Sequence, residues 1–127
     1  MSDSIVIIPT FNERDNIEKM VQKVMSLDKK VHILFVDDSS PDGTANVIRT
    51  MQKKFPDSIH LEVRVGKLGL GTAYVHGFKW CLEKSYDFIF EMDCDFSHNP
   101  EDLIRLYQSC IDGADLSVGS RYVSGGK

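Results

Sequence analysis

With 127 residues, 42% of them hydrophobic, the chain is one domain's worth of sequence, able to bury a core covering roughly two thirds of its unfolded surface. A formal net charge of −4 excludes a general nucleic-acid binder, which needs a basic stripe to displace counterions, so any anionic ligand must be held locally. The opening Met1-Ser2-Asp3-Ser4 has no basic segment leading into a long apolar one, and no apolar run approaches about 18 residues. A soluble, intracellular chain is expected.

Residues 5–8 form a continuous β-branched run stopped by Pro9, which suits a strand buried on both faces. Ile17, Met20, Val21, Val24 and Met25 then recur at helical spacing after a polar start over 12–16. A second buried strand is expected over 31–36. Ser40-Pro41-Asp42-Gly43 reads as a helix entry with Ser40 at the N-cap and Pro41 at the first helical position, and Val47, Ile48, Met51 and Phe55 face inward. A strand over 59–65 follows, then a glycine-rich turn and a helix with Ala73, Tyr74, Gly77, Phe78, Cys81 and Leu82 on its inner face. After a strand over 87–92, Pro100 starts a helix that buries Leu103, Leu106, Tyr107 and Cys110 and ends at Gly113, before a last strand over 115–118. This alternation predicts a mostly parallel sheet with right-handed crossovers and helices on both faces, in one doubly wound layer sandwich.

Cysteines 81, 94 and 110 are odd in number and lack CxxC spacing, so all are expected to be reduced, with Cys81 and Cys110 as core filler. Single histidines at 76 and 98 have no partner at metal-ligand spacing; His76 is expected to pack a helix and His98 to sit in a loop.

In open α/β sheets ligands sit outside the carboxyl ends of the strands, and the unusual residues gather there. Glu13, Asp37, Asp38, Asp93 and Asp95 meet on one edge with Arg121 and Lys67 alone to offset them, an arrangement that is costly unless a cation joins it. In Asp93-Cys94-Asp95, alternation turns both carboxylates to the cleft and Cys94 back, and two hard oxygen ligands suit Mg²⁺ or Mn²⁺. The alternative is that Asp95 or Ser97 only caps the helix near Pro100. The run from Asp37 to Thr44 is either a capping loop of solvated acids or a loop whose carboxylate accepts hydrogen bonds from a nucleobase or ribose. Gly69-Leu70-Gly71-Thr72-Ala73-Tyr74 follows the third strand and lacks the final glycine of a dinucleotide fingerprint, so it reads as a tight turn before a helix.

Taken in order, Pro9-Thr10-Phe11-Asn12-Glu13, the VDDSSPDGT run from Val36, GLGTAY from Gly69, DCDFSHNP from Asp93 and GSRYVSGG from Gly119 make the chain resemble the family-2 glycosyltransferases. Within them it is most similar to the dolichol-phosphate (polyprenol-phosphate) mannosyltransferases. The resemblance covers essentially the whole chain. It implies a Rossmann-like GT-A nucleotide-sugar-binding layer sandwich over residues 1–127, transferring mannose from GDP-mannose to dolichyl or polyprenyl phosphate with inversion.

The same resemblance implies Pro9, Phe11 and Glu13 beside the nucleotide and Val36 and Asp38 around base and ribose. Asp93 and Asp95 would hold Mg²⁺ or Mn²⁺ on the diphosphate, Ser97 would be a further polar group on the metal side, Cys94 would offer a backbone contact, and Arg121 would meet a phosphate. Asp95 and Arg121 are then the catalytic pair. Phe11 departs from the family's usual Tyr, losing a hydroxyl but keeping a stacking face. Family members continue beyond the point where this sequence stops, so the chain is expected to be the N-terminal, donor-binding half, with an open sheet edge that favours self-association. The implied location is cytoplasmic and peripheral to the cytosolic face of a membrane, the endoplasmic reticulum in a eukaryote, with no nucleic-acid partner.

Other readings remain open at this point. The chain could be a donor-binding module without turnover, or a transferase of another sugar such as glucose. A receiver-type signalling domain fits poorly, because its acid pair would follow the first strand and a lysine the last.

Overall fold

The computed structural model describes residues 3–27, 30–65, 70–84, 86–92, 94, 118–119 and 122–123. The expected helix over 100–113, most of the expected strand over 115–118, and Lys67, Asp93, Asp95, Ser97, His98, Cys110 and Arg121 lie outside the described residues.

Four strands, β1 (Ser4–Thr10), β2 (His32–Asp37), β3 (Ile59–Val63) and β4 (Phe88–Glu91), form one parallel sheet in the order β3-β2-β1-β4. The helices are α1 (Arg14–Met25), α2 (Thr44–Lys54) and α3 (Leu70–Leu82). Two short strands, β5 (Val118–Gly119) and β6 (Tyr122–Val123), pair antiparallel, with β6 lying against β4. Val118, the described residue of the expected last strand, pairs with Val123 across this antiparallel ribbon.

Right-handed crossovers explain the layering. The chain steps from β1 through β2 to β3 in one direction, which puts α1 and α2 on the same face, then returns past β1 to β4, which puts α3 on the other. Alternation along the strands divides the core accordingly. Val6, Ile8, Ile33, Phe35, Phe90 and Met92 meet Ile17, Met20, Val21 and Val24 of α1 and Ile48 and Met51 of α2. Ile5, Ile7, Leu34, Val36 and Ile89 turn the other way, toward Ala73 and Cys81 of α3, with Tyr74 and Phe78 packed alongside.

Two boundaries move from their expected places. Pro9 does not end β1, which runs on to Thr10. Ile7 O accepts from Met92 N at 3.0 Å on the β4 side and Thr10 O from Asp38 N at 3.1 Å on the β2 side, so by alternation Pro9 faces β4. There its missing N–H withholds the next rung, and β1 and β4 part after the Ile7–Glu91 pair. The second boundary is the start of α2, which lies at Thr44 behind Gly43 at φ 90°, not at Pro41. Ser40 is not its cap, because it is committed to Asp37 and Asn12, while Asp42 accepts from Thr44 N at 3.0 Å and from the Thr44 hydroxyl.

On α3, Leu82 is 69% exposed and does not face inward; Cys81, one step earlier, takes the core position. The helix begins at Leu70, so Gly71 lies within its first turn and not in a preceding turn.

Candidate active site

The order β3-β2-β1-β4 reverses direction at β1, and the crevice at the carboxyl ends of β1 and β4 is the switch point where such sheets take ligands. Pro9 stands at this switch point, facing β4 without an N–H to donate. On the β2 side of β1, residues 10–14 and 37–44 are locked together. Asn12 N donates to Ser40 Oγ at 2.9 Å, Glu13 N to Thr44 Oγ1 at 3.1 Å, and Arg14 N to Asp42 Oδ2 at 3.3 Å. Each bond satisfies a backbone donor near the start of α1, where the helix offers no side-chain cap of its own.

Two residues here, Asn12 and Ser39, have φ of 55°, in the left-handed region where non-glycine residues are uncommon. Both are tied down by neighbours: Asn12 through its N–H, and Ser39 through a hydroxyl that donates to Arg64 O. Strain of this kind persists only where surrounding contacts over-determine it.

The two adjacent aspartates have different partners. Asp37 is fully buried; its Oδ1 accepts from Thr10 Oγ1 at 2.7 Å and Ser40 Oγ at 2.6 Å, and its Oδ2 from Ser40 N at 3.0 Å. It braces the ends of β1 and β2. Asp38 is also buried, and its carboxylate is gripped by Arg64, Nε to Oδ1 at 2.7 Å and Nη2 to Oδ2 at 2.9 Å. Neither is a solvated acid, while Asp42 of the same run accepts from Thr44 N at the start of α2.

Arg64 is the residue that sequence reasoning missed. Among the described residues it is the cation that meets the acidic edge, because β3 stops at Val63 and Arg64 N donates to Asp37 O at 2.8 Å, turning the side chain inward. An arginine immediately after a strand beside a neighbouring acidic strand end was the available signal, hidden by reading 59–65 as continuous strand.

Of the other expected site residues, Pro9, Phe11 and Glu13 are half-buried at the β1 end. Glu13 Oε2 accepts from Asn16 Nδ2 at 3.0 Å. Val36 is wholly buried under α3, one rung below Asp37. Cys94 is buried in the core shared with α1 and α2, on the same side as Phe90 and Met92, so it does turn back from the crevice. Among the described residues, no group of three His, Cys, Asp or Glu side chains could hold a metal ion. His76 Nε2 lies 3.1 Å from Glu62 Oε1, joining α3 to β3 as a packing contact. Burial pushes the Cys81 thiol up to about 12, as befits core filler.

This doubly wound sheet, with strand-end loops braced around a switch-point crevice, defines the class: the structure superposes on glycosyltransferases of GT-A fold. A mannosyltransferase from Pyrobaculum calidifontis, solved in complex with GDP-Man and Mn²⁺, matches with a TM-score of 0.66 and 25% identity over 73% of this chain and 27% of its own. The Glycosyl transferase family 2 model matches residues 5–127, and the chain belongs to that family. It is 49% identical, over 97% of its length, to the polyprenol monophosphomannose synthase of Mycolicibacterium smegmatis and 38% identical, over 96%, to the dolichol-phosphate mannosyltransferase of Pyrococcus furiosus. It spans 46% and 34% of those two relatives.

Proposed function

We propose that the protein transfers mannose from GDP-mannose to the phosphate of a polyprenol, dolichol included, with inversion at the anomeric carbon. The observation that carries this reading is the 49% identity, over 97% of the chain, to a polyprenol monophosphomannose synthase. The neighbouring structure with GDP-Man and Mn²⁺ supports the same donor and a divalent cation, Mg²⁺ or Mn²⁺.

In this reading Phe11 offers a stacking face to the nucleotide and Asp38 accepts hydrogen bonds from base or ribose, with Pro9, Glu13 and Val36 shaping that side. Asp93 and Asp95 hold the cation, assisted by Ser97, with Cys94 contributing its backbone and Arg121 meeting a phosphate. Bound there, the cation supplies Lewis-acid neutralisation of the departing diphosphate. A polyprenyl phosphate, with a second pKa near about 6, is already ionised at neutral pH and needs no strong base. The residues' task is then to hold donor and acceptor in line and to stabilise the leaving group.

No helix of the described residues is long and apolar enough to cross a membrane. We place the protein in the cytoplasm, peripheral to the membrane that holds its acceptor, and read the β3 edge, with Val63 and Val65 exposed, as a site for self-association.

Incubating the full-length protein with GDP-mannose, Mn²⁺ and a short polyprenyl phosphate should give steady formation of mannosyl lipid. Transfer from UDP-glucose in its place would assign another sugar, and nucleotide binding without any transfer would make this a donor-binding module.

A further inference from the structure

Arg64 has its main chain fixed at both ends, its N–H on Asp37 O and its carbonyl under the Ser39 hydroxyl, so the side chain leaves a set root. From there the guanidinium forks onto both oxygens of Asp38 and sends Nη1 to Thr72 Oγ1 of α3 at 3.0 Å. Arg64 is 7% exposed and Asp38 5%. Desolvating two charges is costly, and an apolar pair of similar volume would serve packing equally well, so the pair is better explained by orientation than by stability. A planar fork meeting a carboxylate at two points fixes the carboxylate's plane as well as its place, which a lysine cannot do.

We propose that Arg64 is a positioning residue of the donor site: it sets the plane of the Asp38 carboxylate presented to the nucleotide and, through Thr72, ties that plane to the first turn of α3. The proposal rests on Asp38 contacting the nucleotide, as in the function proposed above. Arg64 itself need not touch the ligand.

A double-mutant cycle on the full-length protein tests this, with GDP affinity in Mn²⁺ measured by calorimetry and folding followed by thermal melts. Arg64→Lys should weaken GDP binding about tenfold or more, the scale of one charge-assisted hydrogen bond. Asp38→Asn should do at least as much. In the Asp38→Asn background, Arg64→Lys should cost less than about twofold, because the group it positions is gone. A packing role would instead lower the melting temperature and multiply the two losses, and multiplied losses overturn the proposal, as does wild-type affinity in Arg64→Lys. If Arg64→Lys folds poorly, Thr72→Val decides: Thr72 is exposed, so its variant should melt normally yet bind GDP more weakly, and unchanged affinity overturns the tie to α3. A wild type that prefers UDP sinks the mannose reading alone, since the same cycle then runs on UDP; one that binds neither nucleotide sinks both.

Discussion

Gly77 of α3 lies directly on Ile7 of β1: a Cβ built on the glycine would come within 2.6 Å of Ile7 Cγ2. Ile7 is fully buried in a strand paired on both sides, so it cannot swing away. The glycine therefore sets how closely α3 approaches the sheet, and with it where Thr72 meets Arg64.

Gly77→Ala should destabilise the fold by about 1–3 kcal/mol, because overpacking outweighs the better helix propensity of alanine. Gly71→Ala, with nothing within 4 Å of its added Cβ, should be neutral or slightly stabilising. Urea melts of the two variants check this, and equal stabilisation by both would show that α3 can slide on β1.

Thr10→Val should cost roughly 1–2 kcal/mol, since it keeps the shape but withdraws one of the donors to the buried Asp37 carboxylate. Because Asp37 aligns the ends of β1 and β2, GDP binding should weaken in the same variant. Full stability in urea melts with intact binding would mean that Ser40 alone holds Asp37.

His32, at the opposite end of β2, is pushed down to about 4 by burial and then by the nearby charges of His60 and Lys30. Its Nδ1 lies 2.7 Å from Tyr86 Oη. The unfolded chain therefore binds this proton at higher pH than the folded one. Stability is complete above about pH 6.5 and declines as pH falls from there toward about 4. Chemical melts between pH 7 and pH 4 should show that decline, and His32→Phe should flatten it. An unchanged slope in the variant would assign the acid sensitivity elsewhere.

Asp93→Asn and Asp95→Asn should each abolish cation-dependent binding of GDP while leaving the melting temperature near that of the wild type. Titration with GDP in the presence and absence of Mn²⁺ checks it. Retention of full Mn²⁺ dependence by the double variant would remove the DxD pair from the metal.

Much of the fold follows from local sequence. The β-branched runs of β1 and β2 and the helical spacing from Ile17 to Val24 specify elements whose periodicity is set by neighbours a few residues apart, and the alternation of elements dictates a parallel, doubly wound sheet. The motif order from Pro9 to Gly126 likewise carried the family resemblance. Tertiary structure decided what depends on partners distant in the chain. Whether Pro9 ends a strand depends on which side β4 lies, and whether Ser40 caps a helix depends on its being taken by Asp37 and Asn12. Asp37 and Asp38 are chemically identical neighbours turned to different partners, one to Thr10 and Ser40, the other to Arg64, 26 residues on and just past the end of β3. Local spacing cannot distinguish them, because the pairing of a buried charge is settled by which side chains the folded sheet brings within hydrogen-bond reach.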